Sequence, residues 1–321
     1  MKRFLTLLVS ALLITASCFS LVACSNPDND DGGKNPPASQ TEIKYVESST
    51  QFNALTEVSL DSADVAVTDK SFFAFHTSAK GQLANKGLTI LENSLTDNKT
   101  KSYVFATRKE SNIPLYLNAA LYELQQNGTL EEIAKSFCLE NLLPTIPEPE
   151  VTFENLPTPE KGSDWANVVA AGYLKVGYDL NENGADNNNP FVSRGQTYAA
   201  DNLEPKILAK ISKLFGLEYD EYYNSDDYGL LPKSLIKCTA ANQFIKLENG
   251  EVDILMNRMN AVDYSNENAA FTTPFLNDKL VLVVKGTAPT FDGLKDKKFT
   301  ASKGTLGEAT IKNDINNYFF K

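Results

Sequence analysis

The chain has 321 residues, 42% of them hydrophobic and 22% charged, which is enough apolar material for two packed cores in an ordinary globular protein. Its 30 basic side chains face 41 acidic ones, a balance that argues against nucleic acid or an anionic membrane surface as the main partner. The single histidine, His76, argues against a histidine-based catalytic triad or a histidine-rich metal site.

The first segment, MKRFLTLLVSALLITASCFSLVAC, opens with Lys2 and Arg3 and carries an apolar run from Phe4 to Ala16. That is a secretory signal, too short and wrongly flanked for a spanning helix. Leu21-Val22-Ala23-Cys24 resembles the bacterial lipobox. The resemblance implies a signal peptide at 1–23, cleavage before Cys24 and acylation of that cysteine, with about 0.8 kcal/mol of membrane affinity per buried methylene. The rival is a plain secretory signal with a chance cysteine. Removing 1–23 leaves 28 basic against 41 acidic side chains. Residues 24–42, rich in Pro, Gly and Asp, cannot build a core and read as a flexible tether.

SADVAVTD, GLTILEN and KSYVFATRK then read as strands. Residues 118–137 read as two helices. Asn127-Gly128 ends the first, and Thr129 caps the second with Glu132 three residues on. Residues 144–163 hold too many prolines for a helix or a central strand and form a linker. Beyond it, Leu174–Tyr178 reads as a buried strand. An amphipathic helix follows, capped by Asp201 with Glu204, facing inward through Leu203, Ile207 and Ile211, and stopped by Gly216. QFIKLENGEVDILMN is helix, glycine turn, strand; residues 279–286 are a strand; KKFTASKGTLGEATIKNDINNYF is strand, tight turn, helix. Alternating strands and helices define an α/β class. Cys138 and Cys238 are the cysteines of the folded part, either one disulfide or two separate thiols. DLNENGADNNNP, 179–190, has the D-x-N-x-N-G opening of a calcium loop but Pro190 where the bidentate glutamate belongs. No metal site and no cofactor are expected.

LKVGYD…NPF, LENGEVDIL, AAFTTPFLNDKLVLVVK and LKDKKFTASKGTLGE, all within 164–321, resemble the first part of an extracytoplasmic solute-binding protein of the polar amino-acid ABC transporter family. ALTEVSLDSADVAVTD and KSYVFATRKESNIPLYLNAALYELQQNGTLEEIAKSF, within 52–138, resemble the last part of the same fold. The resemblance implies a two-lobed type II periplasmic-binding-protein-like architecture. Its order is reversed here, which implies a circular permutation with 144–163 joining the ancestral termini. Lobe one would hold 104–143 and 164–287, and lobe two 43–100 and 289–321, with crossings near 100–105 and 285–291. The rival is a chain that completes itself by swapping halves with a second copy; the linker length favours a monomer.

A free zwitterion needs an anion site and a cation site. Lys303-Gly304-Thr305 follows a strand and starts a helix, with Glu308 completing a capping box, and the family places its ligand carboxylate at such a Gly-Thr turn. Asp69, at the C-terminal end of a strand, matches the family acid that holds a ligand ammonium. Phe191 matches an aromatic that stacks on the ligand, Asp179 falls where selectivity is set, and Ala240 stands where a second aromatic is common. The family arginine that pairs with the carboxylate is replaced by Ser265. Arg258, next to Asn257 in DILMNRMN, lines the cleft on this alignment and either substitutes for that arginine or fills the space. The resemblance implies a membrane-anchored binding lipoprotein, not an enzyme, that captures an amino-acid-like solute for an ABC permease by lobe closure. A ligand sensor on the same fold is the alternative. A dehydratase-like enzyme is a further one, disfavoured by the lack of an acid–base pair.

Overall fold

In the computed structural model, the described residues are 42–320 except 80, 93, 95, 97–98, 179–202, 219, 224–226, 230–231, 240 and 266. The strands are β1 (Lys44–Ser48), β2 (Val65–Asp69), β3 (Leu88–Leu91), β4 (Thr100–Arg108), β5 (Val176–Tyr178), β6 (Asp220–Tyr223), β7 (Asp227–Gly229), β8 (Leu235–Lys237), β9 (Ile254–Asn260), β10 (Ala269–Phe271), β11 (Leu276–Lys285) and β12 (Lys298–Ser302). The helices are α1 (Gln51–Ser59), α2 (Lys70–Thr77), α3 (Ile113–Gln126), α4 (Thr129–Ser136), α5 (Asp164–Ala171), α6 (Leu203–Leu214), α7 (Gln243–Glu248), α8 (Leu306–Ala309) and α9 (Asn316–Phe320). A π-helical stretch, Thr310–Ile315, joins α8 to α9. The fold is α/β, with ten strands in one mixed sheet and β6–β7 as a separate pair.

Short apolar runs such as VAVTD, buried at all five positions of β2, need cover on both faces, and helices supply it. The sheet divides into two halves of like pattern. In the terminal half β1, β12 and β2 are mutually parallel neighbours, and β11 runs antiparallel to β2 on one side and to β3 on the other. In the central half β8, β5 and β9 are parallel, and β4 runs antiparallel to β9 on one side and to β10 on the other. β4 and β11 also pair with each other, Tyr103 opposite Leu276 through Thr100 opposite Lys279, and this antiparallel pair joins the halves.

Each half has its own core. Tyr103, Phe105, Leu117, Trp165, Ile207 and Phe275 belong to one cluster in the central half, with Val104, Leu255 and Met259 on the other face. Val67, Leu282, Phe299 and Ile311 form one cluster of the terminal half, and Leu55, Ala66, Phe72 and Val283 another. Leu280, Leu282 and Val284 pack into the terminal core, because β11 changes partners from β4 to β2 between Lys279 and Leu280. β11 therefore takes part in both halves of the sheet.

Residues 144–163 do more than link. Gln125 donates from Nε2 to Pro144 O at 2.7 Å and accepts Ile146 N–H at 2.8 Å. Tyr116 donates to Pro157 O at 3.0 Å, and its ring stacks on Trp165 of α5 at 4.7 Å and 9°. The prolines, lacking N–H groups, let this strap lie on α3 without orphaned donors. Thr129 is not a cap: Gly128, at φ 81°, holds that position, and Thr129 N–H reaches Asn127 Oδ1 at 3.0 Å. A left-handed break suits glycine, so the helix starts one residue earlier than the T-x-x-E pattern suggests. Cys138 and Cys238 are both free thiols, not a disulfide. Leu203, Ile207 and Ile211 are buried, and Gly216, at φ 66°, follows α6, as expected; the Asp201 cap lies outside the described residues.

Candidate functional site

A cleft of about 420 Å³ opens between the halves beside the crossing pair, within the ~300–1,000 Å³ common for small-molecule sites. The terminal half contributes Gln51, Thr68, Asp69 and Gly304–Gly307. β4 contributes Lys101 and Tyr103, and the end of β9 with its following turn contributes Asn260, Asp263 and Tyr264.

Asp69 closes β2 and occupies the N-cap position of α2, yet its side chain makes no capping bond. It is 3% exposed, and its oxygens are held from two directions. Lys101 Nζ lies 2.8 Å from Oδ1, and Gln51 Nε2 donates to Oδ2 at 3.0 Å. Gln51 is buried at the first position of α1, where Thr50 caps the helix. Its Oε1 accepts from Asp69 N–H at 2.9 Å and from Thr68 Oγ1, so the backbone N–H fixes which end of the amide is oxygen. A buried carboxylate is costly without such partners. Asp69, matched to a ligand ammonium by the resemblance, is paired here with the protein's own Lys101.

Asp278 of β11 lies behind this pair, fully buried. Ser71 donates to it through both N–H and Oγ. Burial first, and the Asp69 carboxylate second, push Asp278 up to about 6.

The turn after β12 is built from Gly304, at φ +71°, and Thr305, the N-cap of α8. Thr305 Oγ1 donates to Ser302 O at 2.6 Å and accepts Glu308 N–H at 3.4 Å. Gly304 N–H, expected to face a ligand, instead donates to Glu308 Oε2 at 2.6 Å. Lys312 and then that N–H hold the Glu308 carboxyl below its usual range. Gly307 packs on β2: a Cβ there would lie 2.9 Å from Val67 O.

Three residues chosen from sequence, Asp69, Gly304 and Thr305, thus meet in one cleft although far apart along the chain. Asn257 and Arg258 lie in β9, where only their backbone is described. Asp179, Phe191, Ala240 and Cys24 lie outside the described residues. Ser265 is exposed on the turn after β9 and is not among the lining residues. Sequence reasoning missed Gln51, Lys101, Tyr103, Asn260, Asp263 and Tyr264. A signal existed for two of them: Gln51 directly follows a Ser-Ser-Thr cap, and Lys101 stands near the start of a strand that leads into the run YVFA. No protein-family model matches the chain, and no curated protein matches it.

Proposed function

We propose that this protein is a membrane-anchored substrate-binding lipoprotein of an ABC importer. On this reading it is a circularly permuted two-lobed protein of the type II periplasmic-binding kind, acylated at Cys24, extracytoplasmic and monomeric. It captures a small polar solute, an amino acid or related zwitterion, by closing its halves over the cleft. One observation carries the reading: two half-sheets of the same strand pattern, joined by the antiparallel pair β4–β11, flank a cleft into which Asp69, Lys101, Asp263 and the Gly304-Thr305 turn converge. Charges of both signs in a small polar cleft match a zwitterion better than an apolar ligand. Two adjacent crossings with separate cores on either side match hinge closure.

Thermal unfolding of the purified protein against a panel of amino acids and small peptides tests this. A ligand at a hundred times its Kd adds about 2.7 kcal/mol and raises the melting temperature by several degrees. A panel that leaves the melting temperature unchanged at millimolar concentration contradicts the reading.

A further inference from the structure

We infer that the two charges of the ligand are gripped by Lys101 and Asp263, with Asp69 serving to position Lys101 rather than to bind the ligand. This rests on the solute-binding reading above and names how that site recognises its zwitterion.

The argument starts from what each charged lining residue already has. Asp69 is buried and engaged at both oxygens, by Lys101 and by Gln51. An ammonium arriving there would have to displace an intramolecular ammonium at the same carboxylate, gaining one ion pair and breaking another. Lys101 is different. Its side chain is 18% exposed and lines the cleft, and among the described residues its Nζ has one acceptor, Asp69 Oδ1. A lysine ammonium carries three donors, so two remain for an anionic group of a ligand. The pairing with Asp69 fixes where that ammonium stands, which spares the ligand the cost of ordering a long side chain.

The opposite charge comes from the turn after β9. Asp263 is exposed and lines the cleft. Asn260, 6% exposed at the end of β9, donates from Nδ2 to Asp263 Oδ2 at 3.1 Å. One oxygen is thereby aimed by a buried amide, and among the described residues Oδ1 has no hydrogen-bond partner. Lys101 belongs to the crossing strand β4 and Asp263 to the turn after β9, with Tyr264 next to it in sequence, and all three line the cleft. A ligand with a carboxylate and an ammonium satisfies both. An amine lacking the carboxylate, or a carboxylate lacking the ammonium, leaves one of them unpaired.

Calorimetric titration with matched probes tests this: an amino acid that stabilises the protein, its deaminated carboxylic acid and its decarboxylated amine. For the wild type, each truncated probe binds roughly tenfold or more weaker than the amino acid, the size of a lost charged hydrogen bond. In Asp263→Asn the preference for the amino acid over the deaminated acid collapses towards unity. In Asp69→Asn that preference survives. In Lys101→Met the amino acid and the deaminated acid weaken together, and Lys101→Arg restores part of the loss. Circular dichroism and melting curves check that each variant is folded, and Asp263, being exposed, can be replaced without leaving a buried charge. If Asp69→Asn abolishes the ammonium preference and Asp263→Asn keeps it, the assignment is overturned while the solute-binding reading stands. If Lys101→Met binds all three probes as wild type does, the carboxylate half is overturned. If no amino acid stabilises the wild type, the solute-binding reading itself fails.

Discussion

The two half-sheets share a strand pattern, but the chain runs through them differently. In the central half it passes from β5 through α6 to the edge strand β8, then through α7 to β9. In the terminal half the matching route would run from β12 through α8 and α9 to β1, then α1 and β2. There the step from helix to edge strand joins the end of the described chain to its beginning. β1 is held against β12 by pairing, Lys44 opposite Lys298 through Ser48 opposite Ser302, and Ile43 N–H donates to Asn316 Oδ1 at 2.9 Å. Ile43 also packs with Ile311 and Ile315. The comparison teaches that register and apolar contact can place an edge strand beside a neighbour distant in sequence. The central half carries the strap 144–163 between α4 and α5.

The strap side is the stronger join, and breaking it gives the largest effect. Trp165 is 1% exposed and packs on Tyr116 and Phe215. Trp165→Ala should cost ~3–5 kcal/mol in denaturant unfolding; a loss under about 1 kcal/mol would mean that α5 is not anchored on α3 through this ring.

Asp278 probes the crossing between the halves. Its carboxyl is raised to about 6 in the folded protein, against about 3.9 in an unfolded chain. The native state therefore holds a proton that the unfolded state has lost, and stability from this group falls as pH rises from about 4 to about 6. Asp278→Asn removes that slope. Unfolding free energies measured near pH 4 and near pH 7 should differ between variant and wild type by ~1–3 kcal/mol, with the variant favoured at the higher pH. Equal pH dependence would show that Asp278 is ionised throughout.

The smallest effect belongs to the open side. Asn316→Ala removes the acceptor for Ile43 N–H at a partly exposed position, so a loss of ~0.5–1.5 kcal/mol is expected from melting curves. A loss as large as that of Trp165→Ala would erase the contrast between the two joins.

Much of this was legible because it rests on short-range patterns. The run VAVTD, the inward face of Leu203, Ile207 and Ile211, and the KGT turn with its glutamate each follow from periodicity or capping. The hand-over inside β11 was not legible, because LNDKLVLVVK is one unbroken strand in which only the partners change, and pairing is not encoded in local spacing. The Thr129 cap failed because Gly128 in a left-handed conformation outcompeted it. The Asp69–Lys101 pair was hidden for another reason: it joins the end of one strand to the start of another, and no local spacing encodes that contact.

The most direct test of the whole account is small-angle X-ray scattering on the purified protein with and without the amino acid that stabilises it most. Closure of the two halves about β4 and β11 predicts a smaller radius of gyration at saturating ligand and no change with a non-binding amino acid. Saturable binding at an unchanged radius of gyration would contradict closure of this cleft.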